Sequence, residues 1–361
     1  MGAICQTAPI SSVFTNASTR PDFFNLTLFT QFSIFTDPAN SRIFAQYHRL
    51  TNKGLIQEPL LILKNMNTFY RNWFLASRPW SFIMTAISIG VGGAIAAIDG
   101  HFFWGLFGLT LLGGVFLHAA TNLINDYYDV RSGVDTVDVS TAIYRPHPLV
   151  EGKILASSVH LAAYLLFFAG AVIGFWLAAT RGWPILIIGA IGVAASIAYT
   201  APPISYKYIG LGEFSVFLMW GPLMVEGTYF VQHQTFSTEA FWVSIPFGVI
   251  VALVLLANNL RDIEHDKSRH IRTIAIVLGA QRGFYLYASL VALAYICILL
   301  LIIAGVLSFW SLLVFLSLPI AVRLLRIMLE KIPDDADART AQLDTAFGIL
   351  LLISLVLEAL I

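Results

Sequence analysis

The sequence predicts an all-α, polytopic membrane bundle of about nine transmembrane helices. Two observations carry that prediction. The 361-residue chain is 58% hydrophobic and only 12% charged, with a mean hydropathy of +0.77, a balance that belongs to polytopic membrane proteins. Its apolar residues also fall into repeated runs of about 20, the length needed to cross the hydrocarbon core as a helix. The alternation of a membrane barrel is absent, and helices are the remaining way to satisfy every backbone polar group in lipid.

In chain order, residues 1–72 form an N-terminal extension rich in Ser, Thr, Asn and Phe, with Arg20 as its first cation. It lacks a basic segment followed by a long apolar core, so it does not read as a secretory signal. It is expected to be a flexible cytoplasmic extension with a short interfacial helix over 58–73. Residues 73–361 form the membrane domain. Its apolar segments lie near 80–98, 102–124, 156–180, 183–200, 213–231, 241–260, 283–304, 308–329 and 343–361, and Pro319 is expected to kink the eighth.

Basic residues orient the bundle. The loops after the second, fourth, sixth and eighth segments hold thirteen Lys and Arg, the chain before the first segment holds seven, and the opposite face holds only Arg181. The positive-inside rule then puts the N-terminus in the cytoplasm and the C-terminus outside, in a multi-pass protein of the cell membrane. The formal net charge is zero, which gives no support to nucleic acid as a partner. Cys5 and Cys297, the two cysteines, make neither a disulfide framework nor a CxxC metal site.

Two acidic clusters stand at the ends of apolar segments on the same predicted face. "NLINDYYDVRSGVD" (122–135) follows the second and "NNLRDIEHD" (258–266) follows the sixth. In each, an asparagine precedes an aspartate by four residues, Asn122 before Asp126 and Asn258 before Asp262, a spacing that shares a helix face. Asp126 with Asp129, and Asp262 with Asp266, then present two carboxylates to one side. Their recurrence hints at an internal duplication. The four acids are expected to converge if the second and sixth helices pack together.

Converging carboxylates repel unless a cation separates them. Hard oxygen donors suit Mg²⁺, which binds one or two carboxylates together with substrate phosphates. The neighbouring cations Arg131, Arg145, Lys153, Lys207, Arg261 and Arg272 suit the same phosphates. The ligand expected here is therefore a diphosphate with Mg²⁺.

On those motifs the chain resembles the UbiA superfamily of intramembrane aromatic prenyltransferases. The likeness runs through "ASRPWSF" (76–82), "TNLINDYYDVRSGVD" (121–135), "YRPHPLVEGK" (144–153), "YTAPPISYKYIGLGE" (199–213), "GPLMVEGTYFVQ" (221–232) and "NNLRDIEHD" (258–266). The spacing to Asp135 with the "GLGE" and "GTYFVQ" stretches resembles the branch that prenylates 1,4-dihydroxy-2-naphthoate for menaquinone. The resemblance implies transfer of a polyprenyl chain from a polyprenyl diphosphate to that aromatic acceptor, in contact with membrane lipid. It implies Asp126, Asp129, Asp262 and Asp266 as catalytic, metal-holding residues. Substrate-binding candidates are Arg78, Asn122, Asn125, Arg131, Asp135, Arg145, Lys153, Lys207, Asn258, Arg261 and Arg272. One departure stands out: where the resemblance implies Gly-Lys, this chain has His270 and Ile271, so either Arg269 or Arg272 replaces the missing cation or activity is reduced.

Several residues near the clusters have two readings. Tyr127, Tyr128, Tyr199 and Tyr206 suit either shielding of an allylic cation by their ring faces or an interfacial belt. His118, one turn before Asn122, reads as a bundle-interior histidine. Glu226 lies some thirteen residues beyond Glu213, about 20 Å along a helix, and reads as a packing residue. Asp334, Asp335 and Asp337 read as a solvated charge run. The rival class is an ion-coupled transporter, which also uses duplicated helices with acids; acids grouped at one membrane face argue against it. Another aromatic acceptor is the alternative within the same family.

Overall fold

In the computed structural model, residues 67–136, 147–269 and 271–361 are described. The extension over 1–66, Arg145 and His270 lie outside them. Among the described residues, the predicted interfacial helix corresponds only to α1, Thr68–Ala76, capped by the Asn67 side chain. A tight turn at Pro79–Ser81 leads into α2, Phe82–Ile98. The next elements are α3 (Trp104–Arg131), α4 (Ala156–Arg181) and α5 (Pro184–Ala198). They are followed by α6 (Gly212–Leu218), α7 (Met224–His233), α8 (Thr238–Arg261) and the short α9 (Ile263–Ser268). The chain closes with α10 (Ile274–Ile303), α11 (Leu318–Glu330) and α12 (Ala336–Leu360).

Among the described residues, eight helical segments are long and apolar enough to cross a membrane. The predicted fourth crossing is the exception: α5 has only 15 residues, about 22 Å of helix against a hydrocarbon core of about 30 Å. The fifth crossing is not one straight helix either. Between α6 and α7 the backbone widens at Met219–Leu223, where Gly221 leaves helical geometry and Pro222 follows. A Cβ on Gly248 of α8 would sit 2.9 Å from the Gly221 Cα. That backbone-to-backbone approach requires a residue without a side chain, so the kink is locked against α8.

Pro319 sits in the first turn of α11, just after a narrow helical stretch over Phe309–Ser317, with Ser317 and Leu318 both in helical geometry. The seventh crossing is broken at Gly279, which takes φ +76 and ψ 165 and separates a short first turn, starting at Ile274, from the rest of the span.

Among the described residues three hydrophobic clusters hold the bundle, the smallest joining α4, α5 and α7 through Leu177, Ile185 and Phe230. The largest gathers α2, α7, α8, α10 and α12, with Phe247, Tyr287, Phe347 and Leu343 fully buried. The second joins α1, α3 and α4 through Leu123, Ile124, Val159 and Phe167. Each acidic motif thus ends the first member of a closely packed helix pair, α3 with α4 and α8 with α10. The expectation that the second and sixth helices pack together is corrected: α3 and α8 make no extensive contact. A cavity of ≈ 1700 Å³ lies between the two halves, and both motifs line it.

Candidate active site

The first motif is helical to its end, because α3 continues through Arg131. Asn125, Asp126 and Asp129 are buried, and the Asp129 carbonyl accepts the N–H groups of Val134 and Asp135 at 2.8 and 3.1 Å, turning the chain back over the motif. Asp126 is paired with the Arg78 guanidinium. His147 stands 3.2 Å from Asp135 and 3.8 Å from Asp126. Burial opposes the Asp135 charge, but the His147 hydrogen bond and the Lys207 and Arg78 charges hold its carboxyl well below the usual range.

The loop between α5 and α6 completes this side. Lys207 donates to Asp129 at 2.7 Å and to Asn125 at 3.4 Å, while the Tyr208 hydroxyl donates to the other Asp129 oxygen. Burial disfavours the Lys207 ammonium, yet Asp129, with Tyr208, Tyr199 and Asp135 around it, holds it well above the ordinary lysine range. The same loop reaches the other half: the Tyr208 carbonyl accepts the Arg272 N–H at 2.9 Å.

In the second motif, α8 stops at Arg261 and Asp262 begins α9. Arg261 grips both Asp262 oxygens at 2.8 and 2.6 Å, Asn258 at 2.8 Å and Asp337 of α12 at 2.7 Å. Asp266 faces the cavity beside Asp262. Burial and the neighbouring Asp262 charge push its carboxyl up to about 6. The two motif loops touch: His265 Nε2 lies 3.0 Å from the Val134 carbonyl oxygen, and Arg269 lies against Gly133.

Of the expected substrate-binding residues, Arg78, Asn122, Asn125, Asp135, Lys207 and Asn258 line the cavity. Four cations do not. Arg131 turns outward and donates to the Tyr127 hydroxyl at 2.7 Å. Lys153 pairs with Glu151. Arg261 is engaged in the clamp just described, and Arg272 is exposed. Ile271, where the family has lysine, is buried and lines the cavity; neither Arg269 nor Arg272 lines it.

The tyrosines divide. Tyr199 and Tyr206 line the cavity, while Tyr127 and Tyr128 pack on His160 of α4, with Tyr127 stacked at 4.3 Å. His118 is buried as expected, and it also lines the cavity. Glu226 packs as expected, accepting the Ser237 N–H at 3.3 Å. The reading of 334–337 as a solvated run is corrected: Asp337 holds Arg261, and Asp335, paired with Arg339, lines the cavity.

His147 and Tyr208 were not singled out by sequence reasoning. Tyr208 stands beside Lys207 in "SYKYIG" and His147 sits in "YRPHPLVEGK", but neither has a spacing to the acids that betrays it.

Away from the acids the walls are apolar and small-sided, with Gly170 and Gly174 of α4 and Gly189 and Gly192 of α5. The cavity therefore joins a charged end to a long apolar slot. Such a space accepts a molecule with an anionic head and a hydrocarbon tail.

Comparison with known proteins agrees with this geometry. Residues 85–351 match the model of the UbiA prenyltransferase family. The chain is 32% identical over 289 residues to the 1,4-dihydroxy-2-naphthoate octaprenyltransferase of Bacillus subtilis (strain 168), covering 78% of this chain and 91% of that protein. It is also 32% identical over 281 residues to UbiA prenyltransferase domain-containing protein 1 of Dictyostelium discoideum, covering 76% of this chain and 84% of that one. The fold resembles a solved UbiA homologue from Archaeoglobus fulgidus bound to DMAPP and Mg²⁺, with a TM-score of 0.55 at 15% identity, over 78% of this chain and 99% of that one.

Proposed function

The chain belongs to the UbiA prenyltransferase family, and from that premise we propose that it transfers a polyprenyl chain from its diphosphate to 1,4-dihydroxy-2-naphthoate, with Mg²⁺. The observation that carries this reading is the pair of acidic motifs facing one another at the charged end of an otherwise apolar cavity. The acceptor assignment draws on the naphthoate activity named for the Bacillus relative.

The residues present fit a hard divalent cation. Asp126, Asp135 and His147 offer donor atoms within 4.8 Å of one another, and Asp129, Asp262 and Asp266 add further carboxylates. Asp126, Asp129, Asp262 and Asp266 are the residues that would hold Mg²⁺. When bound, Mg²⁺ neutralises a diphosphate and so improves it as a leaving group.

The protein's own groups do the rest. Lys207 and Arg78 stand beside the acids and meet diphosphate oxygens, where fixed positive charge stabilises the departing anion. The C1–O bond of the prenyl diphosphate breaks, its electron pair leaving with diphosphate. Tyr199 and Tyr206 offer ring faces to the allylic cation. A bond then forms between that carbon and the naphthoate carbon bearing the carboxylate, and CO₂ leaves with no net redox change. The apolar slot along α4 and α5 takes the tail and keeps bulk water from the cation.

The multi-pass chain is proposed to lie in the cell membrane with its N-terminus and acidic site at the cytoplasmic face, on the strength of its Lys and Arg distribution. The test is product analysis. Membranes carrying the protein are given prenyl diphosphates with dihydroxynaphthoate or 4-hydroxybenzoate. Prenylated naphthoquinol with released CO₂ is expected, and preferred prenylation of 4-hydroxybenzoate overturns the acceptor.

A further inference from the structure

Beneath the first motif runs a chain of hydrogen bonds whose direction the donors dictate. The Trp220 indole N–H is a donor only, and it points at the Thr85 hydroxyl oxygen at 3.1 Å. The Thr85 hydroxyl in turn lies 2.8 Å from His118 Nδ1. At the other ring nitrogen, His118 Nε2 lies 3.1 Å from the Ser81 hydroxyl. That hydroxyl already donates to the Arg78 carbonyl at 2.7 Å, so toward the ring it must accept. Ser81 therefore puts the proton on Nε2, and in the neutral ring Nδ1 is then bare and accepts from Thr85.

The far end of the chain is where the candidate site begins. Arg78 holds φ 55 and ψ 57, a left-handed conformation that costs a non-glycine residue energy and persists only where neighbours enforce it. Its carbonyl is held by the Ser81 hydroxyl and by the Ser81 N–H at 2.9 Å. Its side chain reaches Asp126. Asn122 donates both to the Ser81 hydroxyl at 3.2 Å and to the Ser77 carbonyl at 3.0 Å. Ser81 therefore joins the backbone of Arg78, the amide of Asn122 and the ring of His118 at one oxygen.

We propose that His118, in its Nε2–H tautomer, is a positioning residue that fixes Ser81 and through it the Arg78 backbone and the Asn122 amide, setting the diphosphate-binding end of the cavity. His118 touches no reacting atom in this role. The inference rests on the prenyl-diphosphate reading above, and it deepens that reading by naming what orients two of its binding groups. A glutamine at 118 places an N–H where Nε2–H stood and keeps the bond to Ser81. An asparagine places its oxygen where Nδ1 stood and keeps only the Thr85 end.

The test compares His118→Gln, His118→Asn and Ser81→Ala in purified protein, with Mg²⁺ and a prenyl S-thiolodiphosphate, which binds without ionising. Binding is followed by calorimetry, and the acceptor KM is measured separately with normal substrate. His118→Asn and Ser81→Ala are expected to weaken the analogue about tenfold, a loss of about 1.4 kcal/mol. His118→Gln is expected to retain most of the affinity, and the acceptor KM to be unmoved in all three. Equal losses in the two His118 variants, or wild-type binding in Ser81→Ala, overturn the proposal. Nitrogen-15 histidine spectra give a readout that needs no turnover: the signal missing from the His118 variants should report a protonated Nε2 and a bare Nδ1. The opposite tautomer overturns the proposal even if naphthoate proves the wrong acceptor. Failure of every variant and the wild type to bind the analogue would instead defeat the diphosphate reading, with the tautomer still decided by the spectra.

Discussion

Lys207 and Asp129 form a 2.7 Å ion pair that ties the loop between α5 and α6 to the end of α3. The carboxylate is almost wholly buried and the ammonium largely so, at 2% and 18% side-chain exposure. Breaking such a pair by removing one partner leaves an uncompensated buried charge and costs about 3–5 kcal/mol. Lys207→Met is therefore expected to lower kcat/KM for the prenyl diphosphate by about 100-fold, or about 2.7 kcal/mol. Asp129→Asn combined with Lys207→Met should lose less than the two single losses together. Full additivity in that cycle would show that the two residues act independently.

Asp126 lies on α3 and Asp262 at the start of α9, and of the two only Asp262 lines the cavity. Replacing either by Ala is expected to abolish nearly all turnover while the protein still inserts into membranes. Excess chelator should do the same to the unaltered protein, and added Mg²⁺ should restore it. Near-normal turnover in either variant, or in chelator, contradicts the proposed metal-dependent diphosphate site.

Asp266 sets a pH limit. Its carboxyl is pushed up to about 6 by burial and by Asp262, so below that pH a proton competes with metal. With Mg²⁺ subsaturating, apparent metal affinity should fall by about tenfold per pH unit below 6 for a one-proton competition, and level off above 7. In metal-free protein the sign for stability is opposite. Between the ordinary carboxylate value of about 4 and 6 the folded state binds more protons than the unfolded one, so this residue's contribution to stability falls as pH rises through that window. Metal titrations and melting curves at pH 5, 6 and 7.5 check both.

Ile271 faces the cavity where the family has a lysine, and neither Arg269 nor Arg272 lines the cavity to replace it. A unit charge pair about 4 Å apart is worth roughly 4 kcal/mol at an effective dielectric near 20. His270→Gly with Ile271→Lys is thus expected to lower the KM for the prenyl diphosphate or to raise turnover, with little change for the aromatic substrate. Unchanged kinetics would mean that the cations already present suffice.

What the sequence made legible follows from periodicity. The Asn122–Asp126–Asp129 and Asn258–Asp262–Asp266 spacings are local, so their presentation on one face of each cluster could be read before any fold was known. Pro319 marked a change of helical geometry for the same reason. The partners of those acids were not legible, because Tyr208, His147 and Arg78 reach them across 79, 12 and 48 residues of chain. Cation identity alone misled: Arg131 and Lys153 lie near the motifs in sequence, yet one bonds Tyr127 and the other Glu151. Nor did hydrophobicity distinguish a helix of spanning length from α5, because composition carries no ruler once Pro184 and the turn after Ala198 set the ends.

The divided core bears on how the protein holds itself together without cargo. The two larger clusters border a space that side chains do not fill, and the third cluster bridges them through α4, α5 and α7. On the proposed function, a prenyl tail in that slot would contact both walls at once, which makes the substrate a structural member as well. Occupancy then governs rigidity: any molecule that binds only the assembled state raises its stability by mass action. With the slot unfilled, the two walls stay coupled through α2 and through the cluster that joins α4, α5 and α7. Extraction with prenyl lipid present is expected to raise the melting temperature above that in detergent alone.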